Sequence, residues 1–414
     1  MTLLRFQRLG IACLLAFTAL NMSLLWQTRG LIFEGWGDFT SFYTAGKIVR
    51  SGQSARLYDT GVQWQVQQEF ASKVKIRRGP LPYVRPPFEA LLFLPLAYLT
   101  YPAACVVWMI FKVALLLTLP FVLPPANDKG GKLGTHALQS LMCLAFFPVG
   151  FDLLLGQDSI LLLFILAVAL RLMLQGDDLQ SGAVMALGLF KFHLILPLLL
   201  IFALRKRGRI VVGFAAMAGC LFSVSLGMVG WSGVVNYPRY LWRLSSLPGS
   251  GLVRPQSMPN LRGLATVLLG IGSLSRPLYW LLMGVAVLGV VIAARAWRGH
   301  DRATITAAFS FSIVVILVTS FYANSYDLAL LLLPLLLIGK PLLEVDRGWS
   351  RALFLAAAAV LLCTSLLWVL VLRVDQFCWI ALALLALAAS ILGARKTLLT
   401  SGLRDSVFTG KSGG

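Results

Sequence analysis

Apolar runs close to twenty residues long, separated by short polar stretches, recur along almost the whole of this 414-residue chain. About twenty apolar residues in a helix match the hydrocarbon thickness of a bilayer. Barrel strands would instead alternate apolar and polar positions. The pattern predicts spans at roughly 9–26, 102–123, 137–155, 158–174, 209–229, 276–297, 303–322, 325–339, 351–372 and 376–394. Two long, partly polar segments interrupt them, at 27–101 and 231–275, and the remaining connections are short. The fold class expected is an all-α polytopic membrane protein, one domain over 1–400 followed by a disordered tail at 401–414.

One stretch resists a simple count. "SGAVMALGLFKFHLILPLLLIFALRKR" (181–207) is long enough for a single span. Yet the residues before it, near Arg171, and the "RKRGR" after it carry the charge expected of one and the same side. Two short helices meeting inside the membrane near Phe190–His193, with Pro197 helping the bend, would reconcile length with charge. The pattern therefore predicts about ten full spans plus a re-entrant helix pair.

Composition agrees, at 58% hydrophobic and 13% charged residues. The formal charge of +20 raises the question of nucleic acid. The Lys and Arg residues, however, sit between apolar runs, as in "RKRGR" (205–209) and "ARAWRGHDR" (294–302), and follow the positive-inside bias. No nucleic-acid partner is expected; the lipid bilayer is. Both termini read as cytoplasmic, the first helix as a retained signal anchor, and segments 27–101 and 231–275 as extracytoplasmic. The six cysteines show no CxxC pair or Cys/His cluster, so neither a disulfide framework nor a zinc site is implied, and no metal or cofactor is expected.

"GWGDFTSFYTAG" (35–46) opens the first long segment. A helix over 39–50 puts Phe39, Phe42, Tyr43, Gly46 and Val49 on one face, with Asp38 as N-cap and Gly52 past the end. It reads as an amphipathic helix on the outer membrane surface. Asp38 is then a cap, a catalytic carboxylate, or both. A Gln-rich amphipathic stretch follows "LYD" (57–59). Pro86-Pro87 then forces an extended backbone, with Arg85 beside it either facing lipid headgroups or binding an anion.

Lys191 and His193 lie in the middle of the apolar 181–204 segment. An intramembrane cation costs about 2.5–3.5 kcal/mol and usually faces a cavity or a partner. Lys191 suits a ligand phosphate; His193 alone is equally an ordinary buried histidine. In "FDLLLGQDS" (151–159), Asp152 lies one turn inside a span with Gln157 near it, and Asp158 reads as an N-cap. Arg254, Asn260 and Arg262 form a cluster on the second long segment, either anion-binding or solvated. Tyr326 and Asp327 begin a late span. These residues suit an anionic lipid substrate and a hydroxyl to be deprotonated. No P-loop, GxSxG or HExxH motif is present.

The ordered set "GDFTSFYTAGKIVRSGQSARLYD", "RPPFEALLFLPLAYLTYPAACVVW", "GQDSILLLFILAVAL", "GLFKFHLILPLLLIFALRKR", "MPNLRGL" and "YDLALLLLP" resembles glycosyltransferase family 87. The resemblance implies a GT-C-type bundle with its active site on the outer face, beneath helices of the first loop. It implies mannosyltransferase-like transfer of one sugar from a polyprenyl-phosphate donor to a lipid-linked, glycan or protein acceptor, in a bacterial plasma membrane. The presumed general base of the family maps onto Asp38. Lys191, His193, Arg254, Arg262 and Arg85 are then candidates for the donor phosphate. Tyr43, Asp152, Gln157, Asn260, Tyr326 and Asp327 are candidates for the pocket. Relatives often carry an aromatic residue where Arg85 stands, and histidines near "YDL". The competing readings are a lipid or small-molecule transporter and a polysaccharide polymerase or ligase.

Overall fold

The computed structural model describes residues 2–74, 79–124, 132–246, 254–270, 275–297, 299, 301–345, 348–364 and 376–409. Residues 125–131 and 373–375, and parts of the 231–275 segment and of the 351–372 span, lie outside them. Every regular element among the described residues is helical. Helix α1 (Thr2–Phe33) leads into a loop carrying α2 (Phe39–Arg50), α3 (Thr60–Ala71) and α4 (Ala90–Phe93). Then follow α5 (Tyr101–Val122), α6 (Lys132–Ala145), α7 (Phe147–Leu155), α8 (Ser159–Gln175), α9 (Asp178–Ala186), α10 (Phe192–Leu204) and α11 (Gly208–Ser246). The chain continues through α12 (Leu261–Leu268), α13 (Arg276–Ala296), α14 (Arg302–Thr319), α15 (Leu332–Val345), α16 (Trp349–Leu362) and α17 (Ile380–Thr409). Helix α17 thus runs through the first nine residues assigned to a disordered tail.

Among the described residues, eight helical segments are long and apolar enough to cross a bilayer. Helices α6 and α7 make a further candidate, bent by 60°. Phe146 takes an extended conformation at the bend and Pro148 starts the second half. Helices α8 and α16 are shorter apolar helices beside them.

One of the eight, 178–204, folds back on itself. An unbroken helix of that length would put its ends about 40 Å apart. Instead Arg207 Nη1 lies 3.1 Å from Asp178 Oδ2, an ion pair between the two feet of the segment. The reversal falls at a 3-10 turn, Leu187–Lys191, between α9 and α10. Helix α9 crosses α11 at two glycines: a methyl group at Gly182 would overlap the Ile210 carbonyl, and one at Gly213 the Leu179 carbonyl. Such small residues let helix backbones touch. The two short helices expected over 181–207 are therefore present as a hairpin, with Lys191 at its turn.

Helix α11 also bends. Gly230, at φ +68°, breaks it, and its second half passes over the first loop. There the Tyr237 hydroxyl donates to the Val84 carbonyl at 2.9 Å, and Tyr240 packs on Tyr58.

Helix α2 has the expected bounds but not the expected setting. Phe39, Thr40, Phe42, Tyr43, Thr44, Ala45 and Ile48 are all buried, so both faces are covered by protein. Phe42 stacks on Phe93 at 4.9 Å, while Phe39 packs against Tyr101 and Trp108. The aromatic stripe docks the loop onto α4 and α5 and not into lipid. The glutamines of α3 carry backbone: Gln67 bonds both the N–H and the carbonyl of Leu81, and Gln63 accepts from the Tyr83 N–H. Asp59 caps α3 through the N–H groups of Gly61 and Val62. These contacts hold the extended segment 81–85 in place, and with it Arg85.

Candidate active site

The turn from α7 to α8 builds the centre of the site. Gly156, at φ +71°, ends α7 in the left-handed conformation that its missing Cβ permits. Gln157, Asp158 and Ser159 follow. The first N–H groups of α8 need acceptors, and Asp152 supplies them: its Oδ2 takes the N–H of Ser159 at 2.8 Å and of Ile160 at 3.3 Å. Its Oδ1 faces Lys112 Nζ at 2.9 Å, and both side chains are fully buried. Asp152 is therefore a clasp beneath the turn, not a wall of an open pocket. Asp158, expected as the N-cap, makes no capping bond.

Asp158 is instead the hub of a charge network. Arg85 donates from Nη2 to Asp158 Oδ1 at 2.9 Å, with Nε 2.8 Å from Oδ2. Lys191 Nζ lies 2.8 Å from Asp158 Oδ1 and also donates to Ser159 Oγ and Asp327 Oδ1. The second oxygen of Asp327 accepts the Asn324 N–H at 2.8 Å, closing a capping box. The Tyr326 ring covers Lys191, its centroid 4.8 Å from Nζ. On the other side, Arg85 donates to Gln157 Oε1 at 3.1 Å, and Gln157 Nε2 donates to Asp38 Oδ2 at 2.6 Å. A continuous chain of contacts thus runs from Asp38 through Gln157, Arg85, Asp158 and Lys191 to Asp327. From Arg85 to Asp327 the signs alternate, which makes such burial tolerable because each of these charges has an opposite partner.

Asp38 does not cap α2. Its backbone is already helical (φ −68°, ψ −19°) and its side chain makes no capping bond. The reason is across the site: the Gln157 amide takes the carboxylate, leaving it half-buried where the loop meets the bundle.

Glu89 lies behind Arg85. It is buried and accepts from the Tyr83 hydroxyl at 3.2 Å. Burial, then the Asp158 charge, push its carboxyl well above the ordinary range, against the pull of Arg85. For Arg85, burial disfavours the charge, but Asp158 beside it outweighs burial and holds the guanidinium firmly protonated.

The structure thus gathers Asp38, Arg85, Gln157, Lys191, Tyr326 and Asp327. His193 follows Lys191 by two residues, its buried Nε2 facing no hydrogen-bond partner among the described residues. The remaining candidates sit elsewhere. Tyr43 is buried under α2 and donates to the Leu99 carbonyl. Asn260 is a buried cap of α12 that also donates to the Ser320 carbonyl. Arg262 donates to the Phe321 carbonyl at 2.9 Å and lies over the rings of Phe321 and Tyr322. Arg254 is exposed on the second long segment. Among the described residues no cluster of His, Cys, Asp or Glu is arranged to hold a metal ion.

Sequence reasoning missed Lys112, Asp158 and Glu89 as members of this centre. Lys112 had a signal, a lone cation inside an apolar run, the same criterion that singles out Lys191. Asp158 had a misleading one, its place before a helix.

A helical membrane bundle with acidic and basic side chains interleaved where a loop caps its end is the class of protein these observations define. The chain belongs to glycosyltransferase family 87, whose profile matches residues 83–324. It is therefore a membrane glycosyltransferase. No curated protein and no solved structure gives a significant match. The matched stretch contains Arg85, Glu89, Lys112, Asp152, Gln157, Asp158 and Lys191; Asp38 precedes it and Asp327 follows it.

Proposed function

We propose that this glycosyltransferase moves a single sugar from a polyprenyl-phosphate donor to a lipid-linked, glycan or protein acceptor. The reaction takes place on the outer face of a bacterial plasma membrane, with Asp38 as general base. The observation that carries the reading is the contact chain from Asp38 to Arg85 and Lys191, which sets a half-buried carboxylate beside buried cations. The acceptor hydroxyl attacks the anomeric carbon as its proton passes to Asp38, and the bond from that carbon to the phosphate oxygen breaks. The departing phosphate gains charge, which Arg85 and Lys191 are disposed to stabilise. His193 supplies a buried ring nitrogen near the same apex. Inversion at the anomeric carbon follows from a single displacement.

The test uses purified enzyme in detergent or liposomes, supplied with polyprenyl-phosphate mannose and other polyprenyl-phosphate sugars and a panel of acceptors. Wild type is expected to transfer sugar with at least one donor. Asp38→Asn is expected to be slower by roughly 10²–10⁴-fold, the range for loss of a general base. Transfer by Asp38→Asn at the wild-type rate would remove Asp38 from this role.

A further inference from the structure

We infer that Gln157 is a positioning residue for this reaction: clamped by Arg85, its amide fixes the carboxylate of Asp38 and keeps the guanidinium one side chain away from the base. The inference rests on the proposed role of Asp38 and concerns how that role is made workable.

Three observations support it. The amide is used at both ends with opposite polarity, Nε2 donating to Asp38 Oδ2 at 2.6 Å and Oε1 accepting from Arg85 Nη2 at 3.1 Å. Rotating it by half a turn would set two oxygens and two sets of N–H groups against each other, so its neighbours dictate its orientation. Second, the side chain is 5% exposed, and its backbone N–H is held by the Asp152 carbonyl at 3.0 Å, just past the left-handed Gly156. Third, Asp38 makes no capping bond to α2, so its carboxylate is turned toward Gln157 and away from its own helix.

The choice of amide has a chemical consequence. A guanidinium placed directly on a carboxylate favours the ionised form and weakens it as a proton acceptor. Another carboxylate would do the reverse, through like-charge repulsion. A neutral amide orients the base while doing neither. Among the described residues, the charged and titratable groups around this pair include Arg85 from the first loop, Asp158 from the α7–α8 turn, and Tyr326 with Asp327 from the turn before α15. Lys191 lies behind Asp158 at the apex of the hairpin.

The experiment compares wild type, Gln157→Glu and Gln157→Met in sugar transfer from the polyprenyl-phosphate donor that wild type uses, over a range of pH. Thermal unfolding of each purified protein serves as the folding control. Gln157→Glu is expected to move the acid limb of the kcat profile to higher pH by about one unit or more, as a second carboxylate beside the base requires. Gln157→Met keeps the length but no hydrogen bond; it is expected to lower kcat roughly 10–100-fold at the optimum, through loss of orientation, with donor KM nearly unchanged. A Gln157→Glu profile that overlays wild type, or a Gln157→Met effect confined to KM or to thermal stability, overturns the inference while leaving Asp38 as base. Full activity in Asp38→Asn would overturn the reading beneath it instead.

Discussion

Lys112 and Asp152 form an ion pair with no exposure at either end, well away from Asp38 along the chain. Removing one partner of such a pair leaves an uncompensated buried charge, at a cost of about 3–5 kcal/mol. Lys112→Met is therefore expected to lower the thermal unfolding temperature sharply. Lys112→Met with Asp152→Asn is expected to recover much of the loss, since the amide oxygen still accepts from Ser159 and Ile160. A double variant no better than the single one would show that the lysine matters for something other than charge balance. Glu89 gives a prediction with a sign in pH. Its folded carboxyl keeps a proton that an unfolded chain releases in the ordinary carboxylate range, because burial and then Asp158 disfavour its charge. As pH rises through that range the unfolded state binds fewer protons than the folded one, so Glu89 makes stability fall with pH. Glu89→Gln, a neutral side chain of the same length, is expected to flatten that dependence in thermal melts across pH 4–8. An unchanged slope would place the titrating group elsewhere. At this scale the sequence was legible where one residue announces itself. Lys191 did so as a cation in an apolar run. It was illegible where the partner is distant: nothing local tells that Asp158 answers Arg85 and Lys191, or that Asp152 caps the helix after it.

At the level of elements, amphipathic patterning located α2 from Phe39 to Arg50 but could not say what covers its aromatic face. Phe93, Tyr101 and Trp108 are as apolar as lipid, and they cover it. The α9–α11 crossing is the converse case, where two glycines looked unremarkable in the sequence and turn out to set a helix contact. Gly182→Leu or Gly213→Leu would drive a side chain into a backbone carbonyl on the facing helix. Overpacking of this kind costs about 1–3 kcal/mol or more. Because α9 carries the turn that ends in Lys191, the same substitutions are expected to reduce transfer activity more than thermal stability alone would account for. Gly219→Ala, on α11 with open space around its Cβ position, is the control and should be silent. If Gly213→Leu is as active and as stable as Gly219→Ala, the hairpin does not dock as described.

Across the whole molecule, hydropathy conveyed the number of apolar segments, and charge conveyed that one of them returns. Length alone counts 178–204 as a span, and only the ion pair between Arg207 and Asp178 shows its two feet side by side. Reporter fusions after Gly176 and after Lys206 are therefore expected to report the same side of the membrane. Opposite sides would mean that the segment crosses.

That hairpin bears on the parity of everything downstream. A segment that enters and leaves by the same face adds length to the chain without reversing its direction, so α11 starts on the side where α8 stops. The second long segment then shares a face with the first, allowing the far half of α11 to close over the loop that holds Arg85. Counted as a crossing, the same residues would send Tyr237 to the opposite side of the bilayer from Val84, to which it is hydrogen-bonded.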